Sequence, residues 1–344
     1  MTNIALCFDE IGDRNRSTGA TNAATTAAML HSDDDQIVWS RGDADVTGRY
    51  RSASRHRQSA ALGDAHAAVV EAYELLVERW ERGDRIYLFG AGRGAYCARA
   101  LTRLLGTVGV VSGPDPAGWT TADFREYVLS AYAMPRTRRS ASDWQLVGQL
   151  AAQLFGRSDH TVDVAFLGLW DMVGVPGLPR ADTGDPLVNV LAGRHAVAID
   201  SARGPFGGRP RRPSAEGFEE VWFRGAHSDV AGGHNACTPL SDIALDWILD
   251  GAMKAGATVR PNHGPAPCAD DALAGGAHPV SFRKVPADAV MHASVERYLR
   301  AHPSYWRRLP ACVAWADPEW DARSERLMPA PTPPVPPPAL TAAS

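Results

Sequence analysis

Most of the features that sort a new chain quickly into a class are missing from this one. Its five cysteines, Cys7, Cys97, Cys237, Cys268 and Cys312, are scattered, with no C-x-x-C pair. That argues against a zinc site or a disulfide framework and fits a reducing compartment. Charge of one sign is also lacking. A formal net charge of -4 over 344 residues gives no general reason to expect a nucleic-acid partner. No apolar run reaches the length of a membrane span, and the opening "MTNIALCFDE" has no basic segment followed by an apolar one. The expectation is a soluble cytoplasmic protein without a transmembrane segment, with secretion by a route that needs no cleaved signal left open. Internal repeats are absent as well.

What is present is enough apolar residue, 45%, to build a sizeable core. Short apolar runs alternate with helical patterns. Strands are expected at 3–8, 35–40 and 84–90, with helices at 19–30, 64–80 and 93–106, the last ending at Gly106. Residues 41–60 are basic and rich in Gly and Ser, which reads as a loop. This alternation predicts an α/β fold with a mostly parallel sheet covered on both faces. After Gly113 two helical segments, 121–134 and 142–155, interrupt the rhythm, and the stretch 114–160 reads as a helical, lid-like insertion. Strands return at 161–171 and 219–224, and a well-marked helix follows at 239–256. One domain over 1–328 is expected, followed by a Pro-rich tail, "PAPTPPVPPPALTAAS" (329–344), expected to be disordered.

Ligands of open α/β sheets bind beyond the carboxyl ends of the strands. The residues that follow the predicted strands are therefore the candidates. Asp9 and Glu10 follow the first strand. The stretch "IYLFGAGRGAYCARAL" (86–101) holds a strand, a glycine-packed turn and a helix, the setting in which G-x-S-x-G places a hydrolase nucleophile. The serine is the missing piece, because the turn reads Gly90-Ala91-Gly92-Arg93-Gly94 and Gly92 has no side chain. Asp171 follows the 161–170 strand, and His227 and Asp229 follow the 219–224 strand. The order turn, Asp, His is that of a nucleophile, an orienting acid and a base. Read blandly, the same residues are a packing corner, two caps and a half-buried histidine. Cys97 reads as a small buried hydrophobe. The arginines of 41–57, 135–139 and 209–213 read as solvated loops.

Six segments carry a resemblance: 7–27, 87–101, 165–177, 194–200, 221–252 and 291–299. In this order they resemble the uncharacterised α/β-hydrolase family that includes the type VI secretion phospholipase effectors. The resemblance implies an α/β-hydrolase fold and hydrolysis of esters, phospholipids in the effectors, with no organic cofactor and no metal. In that family the turn reads G-F-S-R-G-A. The resemblance makes Asp171 the acid, His227 the base and Gly92 the place of the absent nucleophile. Asp9, Glu10, Arg93, Gly94 and Asp229 are the residues expected to line the substrate. Two departures stand out. Gly92 replaces the serine, and the family's F-D-G-T reads Phe8-Asp9-Glu10-Ile11, which sets an acidic group where an oxyanion would form. Ala231 in "SDVAGG" is a milder change.

Three functions compete on this evidence. The first is a catalytically impaired hydrolase homologue that binds a lipid or ester ligand, or a protein. The second is an active hydrolase using water activated by His227, or a divalent metal held by Asp9, Glu10, Asp171, His227 and Asp229. The third is a non-enzymatic interaction protein on the old scaffold.

Overall fold

The first strand, "NIALCF", shows why this chain folds in layers. Its residues are apolar without a break, and side chains of successive strand residues point to opposite faces. Both faces must then be covered, as in a parallel sheet. The computed structural model describes residues 1–10, 19–41, 54–113, 120–156, 160–179, 187–201, 217–260, 266–276 and 283–322, with 54–59 by backbone only. In it, β1 (Asn3–Phe8) sends Ile4, Leu6 and Phe8 to one core and Ala5 and Cys7 to another.

The elements follow in the order α1 (Asn22–Met29), β2 (Gln36–Arg41), α2 (Ser54–Arg79), β3 (Arg85–Ala91), α3 (Arg93–Val108), α4 (Thr121–Tyr132), α5 (Ala141–Leu154), β4 (Val164–Trp170) and β5 (Gly193–Ala198). Then come β6 (Phe218–Phe223), α6 (His227–Ala231), α7 (Thr238–Lys254), β7 (Val290–His292), α8 (Ala293–Ala301) and β8 (Ala314–Ala316). The strands form one eight-stranded sheet in the order β2-β1-β3-β4-β5-β6-β7-β8, and every described strand pair is parallel. Helices α2, α3, α4 and α5 pack on one face and α1 and α7 on the other. A third cluster joins α8 to β5, β6 and β7 through Val197, Trp222, Met291, Val295 and Tyr298.

This topology has a switch point. From β1 the chain steps out to β2 on one side, then returns to lay β3 on the other side and moves steadily away. The connections leave β1 and β3 in opposite directions, which opens a crevice at their carboxyl ends. Glu10 and Gly92 lie at those two ends.

Several expectations are corrected. Helix α2 begins at Ser54, within the expected 41–60 loop and ten residues before the expected start. Its first residues, "SRHRQS", carry no apolar repeat from which a helix could be read. Helix α3 passes through Gly106 and ends at Val108, with Gly109 at φ +69 closing it. Gly106 is a contact glycine, because a Cβ there would lie 2.5 Å from Asn189 Oδ1. Strands β5, β7 and β8 were not anticipated. The lid-like pair α4 and α5 packs on α2 and α3, with Arg125 of α4 paired to Glu74 of α2 and Arg103 of α3 lying over the Trp144 ring of α5. Cys97 is fully buried, and burial pushes its thiol up, away from reactivity. The Pro-rich tail lies outside the described residues.

Close approach of α3 to β1 depends on Gly94, where a Cβ would lie 2.2 Å from the Phe8 carbonyl oxygen and 2.4 Å from that of Asp9. Gly94→Ala is therefore expected to destabilise the fold by about 1–3 kcal/mol through overpacking against backbone. Gly63→Ala, in α2 with open space around its Cβ, is expected to stabilise by about 0.5–1 kcal/mol. Urea unfolding of the two variants checks both signs.

Candidate functional site

The turn after β3 is built by three glycines with separate duties. At Gly90 a Cβ would fall 2.5 Å from the Ala95 Cα, and Gly94 admits the β1 backbone. Gly92 between them sits at φ +56 and ψ -113, the strained corner from which α3 starts. Its N–H donates to the Trp170 carbonyl at 2.9 Å, and its own carbonyl accepts from Val173 N–H at 2.9 Å. The corner is thus clamped to the end of β4.

The space above this corner is filled from the neighbouring strand. Phe8 of β1 is in register with Gly90 of β3, and two residues beyond these the Glu10 side chain comes against Gly92. A Cβ on Gly92 would lie 2.7 Å from Glu10 Oε2, 2.8 Å from its carboxyl carbon and 2.9 Å from Oε1. The Glu10 carboxylate therefore occupies the volume that a nucleophile side chain at position 92 would need. It also lies beside the N-terminus of α3, where the helix dipole favours a negative group.

Asp9 holds this arrangement in place. Its Oδ1 accepts from Glu10 N–H at 2.6 Å and from the Thr21 hydroxyl at 2.5 Å. Thr21 bridges in turn to Gly232, and Gly233 N–H donates to the Ala20 carbonyl at 3.0 Å. The end of β1 is tied in this way to the end of α6, the helix that His227 begins.

His227 links both sides of the crevice. Its Nδ1 lies 2.7 Å from Asp171 Oδ2 and its Nε2 lies 3.0 Å from Glu10 Oε2. With a carboxylate on each nitrogen, both nitrogens donate, so the ring is an imidazolium. Burial opposes this charge, but the bonds to Asp171 and Glu10 outweigh burial and hold the His227 pKa up to about 9.

Asp171 turns out of β4 with φ +38, a left-handed conformation that Asp tolerates better than most residues. Its side chain is 1% exposed. Oδ1 accepts from Ala198 N–H at 3.0 Å and from Arg283, whose Nη1 also donates to the Ala198 carbonyl at 3.0 Å. Burial alone would raise the Asp171 pKa, yet the Arg283 guanidinium and the His227 hydrogen bond hold it well below the usual carboxylate range. Glu10, His227, Asp171 and Arg283 form a chain of alternating charge with no net sum. Arg283 was missed in the sequence. It lies 112 positions from Asp171, in no strand or helix, and no motif marks it.

The other sequence candidates have different surroundings. The Asp229 carboxylate accepts from Ala226 N–H at 2.8 Å and Cys237 N–H at 2.9 Å, which caps α6 and fixes the chain after it. Arg93 opens α3 and is half-buried, and Gly94 follows it at the β1 contact. Among the described residues no group of three or more His, Cys, Asp or Glu side chains is arranged to hold a metal ion. Asp9 accepts from the Glu10 amide and the Thr21 hydroxyl, Asp229 from two backbone amides, and Asp171, which lies against His227, from Arg283. Also among the described residues, no helix is long and apolar enough to cross a membrane.

Comparison with known proteins places this geometry in context. A family model described as "T6SS, Phospholipase effector Tle1-like, catalytic domain" matches residues 2–251. The uncharacterized protein YEL023C of Saccharomyces cerevisiae is 30% identical over 227 residues, 59% of this chain and 32% of the yeast protein, so the chain spans about a third of that relative. A crystal structure of an uncharacterized protein from Pseudomonas aeruginosa aligns at 15% identity with a TM-score of 0.39, covering 75% of this chain and 46% of that one. The peroxisomal alpha-beta-hydrolase Lpx1 of Saccharomyces cerevisiae aligns at 10% identity with a TM-score of 0.29, covering 77% and 80%. These structural overlaps are too loose to carry chemistry across.

The imidazolium makes stability depend on pH. Because the His227 pKa is raised above the ordinary value of about 6.5, its contribution is complete below that pH and is lost as pH rises through about 9. NMR titration of the His227 ring is expected to give a midpoint near 9, falling in Glu10→Gln. Stability that stays flat from neutral to alkaline pH, with an ordinary midpoint, would contradict the paired imidazolium. Arg283→Ala, which strips a buried carboxylate of its cation, is expected to cost about 3–5 kcal/mol in urea unfolding.

Proposed function

Because the chain belongs to the Tle1-like phospholipase effector catalytic-domain family of type VI secretion systems, we propose that it is a hydrolase-fold protein silent toward carboxylic and phospholipid esters. In this reading its ester site is closed by an exchange of side chains between two neighbouring strand ends. The observation that carries the reading is the Glu10 carboxylate lying within 2.7–2.9 Å of the position of a Cβ on Gly92.

Acyl transfer needs a nucleophile, a base to take its proton, and donors where the oxyanion forms. Position 92 supplies no nucleophile. His227 carries both its protons at neutral pH and cannot accept another, since Glu10 and Asp171 hold its pKa near 9. The Glu10 charge stands beside the helix terminus where a tetrahedral oxyanion would be stabilised, and like charges repel there. A carboxylate attacking an acyl carbon would give an anhydride, a poorer product than the ester it came from. The 2.7 Å contact between Asp171 and His227 supports reading them as the acid and base of the ancestral reaction. An ester or lipid remains the ligand class to test, and no described surface singles out a protein partner.

The geometry changes which variant tests the reading. Serine at position 92 alone would have to displace the Glu10 carboxylate from its bond to His227. Gly92→Ser by itself is therefore expected to stay silent toward short-chain esters and phospholipid vesicles, as is the natural protein. Gly92→Ser combined with Glu10→Gly is expected to gain turnover roughly a hundredfold or more above either, abolished by adding His227→Ala. Ester turnover by the natural protein that depends on His227, or equal activity of Gly92→Ser with and without Glu10, would overturn it.

A further inference from the structure

The side chain that fills the nucleophile's place is itself a nucleophile of another kind. We propose that Glu10 attacks saturated carbon in alkyl electrophiles, and that Asp171 and His227 then hydrolyse the alkyl ester so formed. The inference rests on the reading that Glu10 stands where the family's serine stood, and it goes further by giving the closed ester site a substrate class of its own.

Three observations support it. The Glu10 carboxylate straddles the corner, with both oxygens within 2.9 Å of the position of a side-chain carbon on Gly92. A carboxylate has lone pairs to spare, so Oε2 can accept from His227 and still leave electron density for attack. Its side chain is 10% exposed, and that of His227 14%, so the pair opens slightly to the outside while Asp171 and Arg283 lie beneath.

The chemistry balances without a further reagent. A Glu10 oxygen forms a bond to the saturated carbon, the bond from that carbon to a halide or other anionic leaving group breaks, and the leaving group departs with the electron pair. No proton is needed in that step, so an imidazolium is no obstacle. Esterification removes the Glu10 charge, and one of the two groups that hold the His227 proton is lost. His227 then releases that proton to solvent and becomes a base. It takes a proton from water, which attacks the Glu10 carbonyl carbon. Collapse expels the alkoxide, which takes the proton from His227, and the new Glu10 acid returns its own proton to the ring. The sum is alkyl halide plus water giving alcohol, halide and a proton. Asp171, fixed by Arg283 and the Ala198 amide, orients the ring throughout. The same protonation state that blocks acyl chemistry is thus compatible with alkyl chemistry, and the first step sets up the second.

The experiment uses the full chain in molar excess over bromohexane in oxygen-18 water, followed by proteolysis and mass spectrometry of the Glu10 peptide. One oxygen-18 atom is expected in the Glu10 carboxylate, with oxygen-16 in the first hexanol released. Glu10→Gln is expected to lose both bromide release and label. His227→Gln is expected to accumulate a hexyl ester on Glu10, with breakdown slowed about a hundredfold or more. Alkylation of exposed Cys268 and Cys312 maps to other peptides but also releases bromide, so bromide is counted in a chain carrying Cys268→Ser and Cys312→Ser, with and without Glu10→Gln. Oxygen-18 found directly in hexanol, bromide release unchanged in Glu10→Gln, or neither adduct nor bromide release would overturn the proposal. If these fail while the combined Glu10→Gly and Gly92→Ser variant gains ester turnover, only this inference falls. If Gly92→Ser alone hydrolyses esters, the underlying reading of Glu10 falls with it.

Discussion

The site is organised by one cation between two anions. The His227 ring, with Asp171 on one nitrogen and Glu10 on the other, joins the end of β1, the end of β4 and the start of α6. Each carboxylate is buried, and a buried charge without a partner is costly. Each therefore needs the ring in its charged form, and Asp171 needs Arg283 as well. Removing the imidazolium would leave two anions beside each other in a place from which water is largely excluded. Much of the local structure serves this constraint. Asp9 fixes the Glu10 amide, Thr21 ties that corner to α6, and Ala198 N–H holds Asp171.

The fold explains why these particular residues meet. A parallel sheet delivers all its carboxyl ends to one edge, so residues that follow strands are brought together however far apart they lie in the chain. The switch between β1 and β3 adds a finer constraint. Hydrogen-bonded strands lie about 4.8 Å apart, and the register ends with Phe8 beside Gly90, two residues before Glu10 and Gly92. At that spacing a glutamate on one strand end spans the place of a missing side chain on the next. A shorter acid at position 10 would not reach across to His227.

Much of this was legible in the chain. Continuous apolar runs gave β1, β3 and β4, and the turn–Asp–His order after successive strands located Gly92, Asp171 and His227. Other parts were not. Short strands such as β7 and β8, three residues each, carry too little pattern to stand out from loops. The start of α2 reads "SRHRQS", with no apolar residue in its sequence. Arg283 reaches Asp171 from outside any regular element, so neither periodicity nor a motif could connect them. Asp229 follows the β6 strand as the other candidates follow theirs, and its position did not reveal the cap bonds it makes to Ala226 and Cys237. Proximity along the sequence told where these residues lie and left open where their side chains point.

The clearest example is the pair of departures from the family pattern. Taken along the chain, Gly92 and Glu10 are two separate losses, 82 positions apart, and suggest drift after a function has lapsed. In space they share one volume: the corner after β3 has no side chain, and Glu10 from the end of β1 reaches into that place. Residues that share one volume and one hydrogen-bond network are coupled, and their substitutions do not add. A serine at 92 would require the Glu10 carboxylate to move from its present place beside His227. A glycine at both would leave His227 with Asp171 alone and the helix terminus without its anion. The present pair is therefore a consistent solution, in which the proton on His227, the charge at the mouth of α3 and the packing of the corner are satisfied together.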